Sequence, residues 1–126
     1  MVHMKVNDNQ SEDRLRQLES IVAITSDGKV ALLKPVGTTE NLIVASLVAQ
    51  HLAHRTGQAA KATLSVDELI GVGGLAQRAA RQSIYNTTSS LSKAKIIQKH
   101  GNEFFVDERA VLQFFAAVLP ALMRSK

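Results

Sequence analysis

Residues 83–106 read SIYNTTSSLSKAKIIQKHGNEFFV. Ile84, Thr88 and Leu91 recur at helical spacing, and at about 100° per residue Ala80 joins them on one face. The opposite face collects Arg78, Gln82, Asn86, Ser89 and Lys93, with Tyr85 and Ser90 on its flanks and no acid among them. The pattern predicts an amphipathic helix over about 76–95. Past it, Ile96-Ile97-Gln98-Lys99 and Glu103-Phe104-Phe105-Val106 are strand-prone runs joined by His100-Gly101-Asn102. Gly and Asn suit a tight turn, so a β-hairpin is expected over 96–106.

Working back toward the N-terminus, Gly71-Val72-Gly73-Gly74 separates this helix from Ser65-Val66-Asp67-Glu68. That tetrapeptide has the form of a capping box, Ser65 accepting from the third helical amide and Glu68 reaching back, and it predicts a short helix through Ile70. Residues 58–64 are expected to be a connection of small residues. Thr38-Thr39-Glu40 opens an earlier helix whose Leu42, Ile43, Val44, Leu47, Val48 and Leu52 cover a broad face, with Arg55 in its last turn and Gly57 as its stop. Before it, Ile21 to Thr25 and Lys29 to Leu33 are strand-like runs around Ser26-Asp27-Gly28, a hairpin signal. Residues 1–20 read as a polar arm or short surface helix. At the other end Glu108 to Met123 forms an apolar helix, interrupted late by Pro120.

Helix, short capped helix, glycine turn, long helix and hairpin is an order that resembles the winged helix-turn-helix DNA-binding superfamily. The resemblance is carried by Ile84-Tyr85, Leu91, Ala94 and Ile96-Ile97 ahead of a glycine-tipped wing, and by the Val66-Asp67-Glu68-Leu69 start of the second helix. It spans about 38–107. It implies an α+β, mainly α, winged helix-turn-helix domain (21–107), here with an added N-terminal hairpin and a C-terminal packing or dimerisation helix (108–126). Two features depart from the pattern: the long helix gains about a turn at Ala76-Gln77-Arg78-Ala79, and Phe105 stands on the outer wing face, where it needs cover.

The charge distribution agrees with a nucleic-acid partner. The 126-residue chain carries a net +4, and all of the excess lies in residues 55–99, which hold seven basic residues against two acidic ones. A basic segment between near-neutral flanks is what a phosphate-binding surface requires, because neutralising phosphates releases condensed counterions; a solvated basic face is the plainer alternative. Arg pairs with guanine and Gln or Asn with adenine in the major groove, so Arg78, Gln82 and Asn86 are the expected base readers. Ser89 and Lys93 are expected on phosphates, Tyr85 on the flank, Arg81 as a phosphate clamp or structural ion pair, and Lys99, His100 and Asn102 as wing donors. The expected partner is double-stranded DNA and the expected role that of a transcriptional regulator or DNA-organising factor. The rival is a winged-helix protein-interaction module that docks through Phe105 and the last helix; single-strand binding is disfavoured by the lack of aromatic platforms beyond Tyr85.

Other chemistry finds little footing. The chain has no Cys, which removes disulfides, thiolate metal sites and thiol nucleophiles. His51 and His54 share a helix side, yet no carboxylate or thiolate completes a metal set, and the glycine run lacks the Lys-Ser/Thr pair of a phosphate loop. Neither an enzyme nor a cofactor is expected. No apolar run has the length of a membrane span, so a soluble, cytoplasmic protein is expected. Val111, Leu112, Phe114, Phe115, Val118, Leu119, Leu122 and Met123 surround the last helix, and a helix apolar all round needs burial on more than one side. A homodimer through this helix is therefore expected, matching a two-fold DNA site.

Overall fold

The computed structural model describes residues 11–33, 38–75 and 79–124. The fold is α+β and mostly helical, with two small antiparallel sheets. Its centre is α2 (Thr39–Arg55), which starts where Thr38 Oγ1 accepts the Asn41 amide at 3.1 Å and ends before Gly57, at φ +82°. Every residue from Leu42 to Gln50 is buried. The expected broad face is thus nearly a full circumference, because elements pack on several sides of the helix.

One covering element is the N-terminal hairpin, β1 (Val22–Ile24) and β2 (Val30–Leu32), paired in the register Val22 with Leu32 and Ile24 with Val30. Its turn falls at Asp27 and Gly28 as expected, held by a short Thr25–Asp27 side-chain bond and by the Lys29 amide on Thr25 Oγ1. Residues 11–18 form α1. The polar arm expected over 1–20 is in this part a docked helix: Leu18 is fully buried, Leu15 packs on the core, and Arg14 bonds Glu108 at 2.7 Å.

Next come β3 (Leu64–Ser65), α3 (Val66–Ile70), α4 (Arg81–Lys93), β4 (Gln98–His100) and β5 (Glu103–Phe105). The sheet order is β3-β5-β4, all antiparallel. The capping box forms with both bonds present. β3 corrects the expectation of a plain connection over 58–64: Leu64 and Ser65 pair with Phe104 and Glu103. The hairpin strands also sit slightly differently from expectation, since Ile96 and Ile97 precede β4, with Ile97 buried and Ile96 exposed.

The long helix expected over about 76–95 begins at Arg81. Ala80 is its N-cap with extended backbone (ψ 158°) and no side-chain cap. Ala80 is therefore exposed rather than part of the core stripe, which consists of Ile84, Thr88 and Leu91. The helix ends in a Schellman motif: the Ile96 amide bonds the Leu91 carbonyl and the Lys95 amide bonds the Ser92 carbonyl, both at 3.0 Å. Lys95 takes the left-handed position, φ +63°, where glycine is usual.

The glycine run before α4 has a packing purpose that sequence alone did not reveal. Gly73 forms a parallel bridge with Ala31, and its carbonyl accepts the Leu32 amide at 2.7 Å. A Cβ on Gly74 (φ +91°) would lie 2.8 Å from the Leu32 carbonyl oxygen, so no larger residue fits between turn and hairpin.

The C-terminal segment runs α5 (Glu108–Gln113), a π-helical turn (Phe114–Val118) and α6 (Leu119–Arg124). The Leu119 amide bonds the Phe114 carbonyl, five residues back. The buried residues explain the wide turn: Val111 and Phe114 are three apart, Phe114 and Leu119 five, Leu119 and Leu122 three. A regular α-helix would rotate Leu119 about 140° away from Phe114. Pro120, which has no amide to give the ladder and crowds the preceding turn, stands two residues past the end of the wide turn. This helix is not buried all round: Leu112 is 53% and Met123 48% exposed.

Candidate nucleic-acid interface

Between α4 and the β4–β5 hairpin lies a groove of about 490 Å³. Six of the residues expected at the interface line it: Arg81, Tyr85, Ser89 and Lys93 from α4, and Lys99 and Asn102 from the hairpin. Successive turns of α4 deliver the first set, because 81, 85, 89 and 93 are four apart and fall along one edge of a helix whose other side is pinned by Ile84, Thr88 and Leu91. Tyr85 is 59% exposed, a large ring left open beside the groove. Lys99 extends over the Phe104 ring, its Nζ 5.9 Å from the centroid, which orders an exposed cation without neutralising it.

Gln82 and Asn86 do not line the groove. They are exposed on α4 and bonded to each other, Gln82 Nε2 donating to Asn86 Oδ1 at 3.0 Å. His100 is exposed at the end of β4, also outside the groove. Arg78 lies outside the described residues. The groove brings in residues not anticipated, Ser65, Asp67 and Ser92 among them. The face of α4 carries no acid, but α3 adds one to the groove: Arg81 Nη2 sits 2.6 Å from Asp67 Oδ1, an ion pair being one of the two roles expected for Arg81. The pair is largely exposed, at 71% and 76%, so it contributes little to stability. The capping box could have pointed to Asp67, since it commits Ser65 and Glu68 and leaves the acid between them on the first turn of α3 free to face outward.

The turn end of the hairpin, where Glu103 pairs with His100, is tied to α3 by a charged network. Lys61 Nζ donates to Glu68 at 2.8 Å and to Glu103 at 3.2 Å, and the Thr63 hydroxyl makes a short bond to Glu103. The Glu68 bond raises the Lys61 ammonium above its ordinary value; desolvation works against it, and the Glu103 bond adds to the rise. Burial alone would raise Glu68, but the Lys61 ammonium and the Ser65 amide outweigh it and hold the carboxyl below the usual range. The Thr63 hydroxyl and then Lys61 do the same for Glu103. Since Glu103 is on β5 and Glu68 on α3, the network sets how far the hairpin stands from the helices.

His54 Nδ1 lies 3.2 Å from the Ala59 carbonyl, and burial holds His51 below the ordinary imidazole value. Among the described residues no group of three or more His, Asp or Glu is placed to hold a metal ion, and no helix is long and apolar enough to cross a membrane. Compared with known proteins, the chain matches no family model, no curated protein and no solved structure.

Proposed function

We propose that this protein binds double-stranded DNA as a winged-helix module, with α4 entering the major groove and the β4–β5 wing against the adjacent backbone. The observation that carries this is the groove between α4 and the hairpin, where Arg81, Lys93 and Lys99 converge with the hydroxyl and amide groups of Tyr85, Ser89 and Asn102. Such a cleft suits one sugar-phosphate strand, with the helix on one side of it and the wing on the other. The order α2-β3-α3-α4-β4-β5 and the strand order β3-β5-β4 support the winged-helix reading. Gln82 and Asn86, on the exposed side of α4, would read base edges; their mutual bond holds one amide oxygen and one amide nitrogen in a fixed relation before contact. The role is that of a transcriptional regulator or DNA-organising factor. Exposed Leu112 and Met123 on the C-terminal helix support a homodimer, which would present two such grooves to a two-fold site.

Fluorescence anisotropy with a random duplex and the matching single strand at about 50 and 200 mM salt tests the proposal, because several phosphate contacts make affinity fall steeply over that range. Micromolar or tighter duplex binding that collapses with salt is expected. No binding at low salt overturns it and turns attention to a protein partner.

A further inference from the structure

A second concave site lies under the far end of α4. It encloses about 650 Å³ between the start of α2, the Schellman turn and the C-terminal helix, within the size range of small-molecule pockets. Val44, Leu91, Ile96, Phe114 and Val118 supply apolar lining, with Asn41, Gln98 and Gln113 as neutral polar groups. The last two apolar residues belong to the π-helical turn.

Four charged residues also line the pocket: Glu40, Lys95, Asp107 and Arg109. The Asp107 carboxylate is committed, accepting the Ala110 amide at 2.9 Å as the N-cap of α5. Neither Lys95 nor Arg109 is ion-paired among the described residues. The four charges balance in number, but neither cation lies within ion-pair distance of a described carboxylate, so both are open to an added anion. Lys95 is the more telling, because it occupies the left-handed position of the helix stop. A side chain there is disfavoured relative to glycine, because its Cβ crowds the following carbonyl oxygen. A lysine kept in that strained conformation, with its side chain at the mouth of an apolar pocket, points to a use for its charge.

We propose that this pocket binds an amphipathic anion, a carboxylate on an apolar aliphatic or aromatic body, with Lys95 and Arg109 on the carboxylate and the apolar lining around the body. Lys95 and Ile96 connect α4 to the wing, so a bound ligand bears on the spacing between the two elements of the DNA-facing groove. Binding itself is read without nucleic acid and stands or falls separately from the DNA proposal.

The test is isothermal titration calorimetry of the intact chain with decanoate and 4-phenylbutyrate, against decylammonium and decanol. Saturable binding of at least one acid at one per chain is expected, with the ammonium and the alcohol at least about tenfold weaker, the loss of one charge-assisted bond. Lys95→Gly is the discriminating variant: it should raise the melting temperature by relieving the strained backbone while weakening the acid about tenfold, opposite shifts that a purely structural lysine would not produce. Arg109→Gln should weaken the acid with the melting temperature unchanged. Absence of heat with both acids, equal binding of acid and ammonium, or undiminished binding by Lys95→Gly would each overturn the proposal.

Discussion

Arg81 reaches back from the first turn of α4 to Asp67 on α3, Nη2 to Oδ1 at 2.6 Å, across the groove that the basic residues line. The contact holds the guanidinium in place but sets a negative charge where a phosphate would lie. Asp67→Asn should therefore tighten duplex binding by about two- to fivefold, the range of an exposed ion pair, and change folding stability by less than about 0.5 kcal/mol. Anisotropy titrations paired with urea melts check both. Weaker binding by Asp67→Asn would mean that the carboxylate serves to orient Arg81 for the DNA.

Phosphate holders and base readers should separate in their salt behaviour. Lys93→Ala with Lys99→Ala should weaken all duplexes alike and reduce the slope of log affinity against log salt by roughly two, about one per lost contact. Gln82→Ala with Asn86→Ala should leave that slope nearly unchanged while flattening the preference found by site selection. Unchanged affinity and slope in the lysine double variant would place the interface elsewhere.

Lowering the pH should weaken the tie between α3 and the β4–β5 hairpin. The carboxyl groups of Glu68 and Glu103 are held below the ordinary glutamate value of 4.5, so their contribution is present above that value and is lost as the pH falls through their lower folded values. Lys61 is raised above 10.5, so its share persists below that value and is lost only as the pH rises past it. Lys61→Met should thus be less stable than the parent chain at neutral pH, with the gap closing as the pH falls below 4.5 through the lowered carboxyl values. Denaturant titrations at pH 7 and pH 3 measure the difference; a gap that is independent of pH would assign the effect to packing of the lysine stem.

The C-terminal helix tests the dimer. Leu112→Glu with Met123→Glu places two charges on its exposed flank and should convert a dimer into a monomer in sedimentation equilibrium, with little loss of secondary structure. Phe114→Ala is the contrast: it removes a side chain that is 1% exposed and should cost about 3–5 kcal/mol of stability. A chain that sediments as a monomer before substitution would rule out the dimer.

Local signals were legible in the amino-acid sequence by itself. The Ser65 and Glu68 capping box, the Thr38 cap, the Asp27-Gly28 turn and the Ile84, Thr88, Leu91 stripe each depend on residues within a turn or two of one another. Of the basic residues crowded into 55–99, the groove gathers Arg81, Lys93 and Lys99, while Lys61 is spent on Glu68 and Glu103 and Lys95 lines the second pocket; six of the ten expected contact residues meet in that groove. What the tertiary structure decided depends on partners far along the chain. β3 exists only because β5, about 40 residues later, supplies its hydrogen bonds. The glycine run takes its purpose from the approach of β2, and Asp67 enters the groove because α3 packs beside the first turn of α4. The π-helical turn reconciles a five-residue interval between two core side chains with one continuous helix, a compromise set by what that helix must bury and not by local propensity.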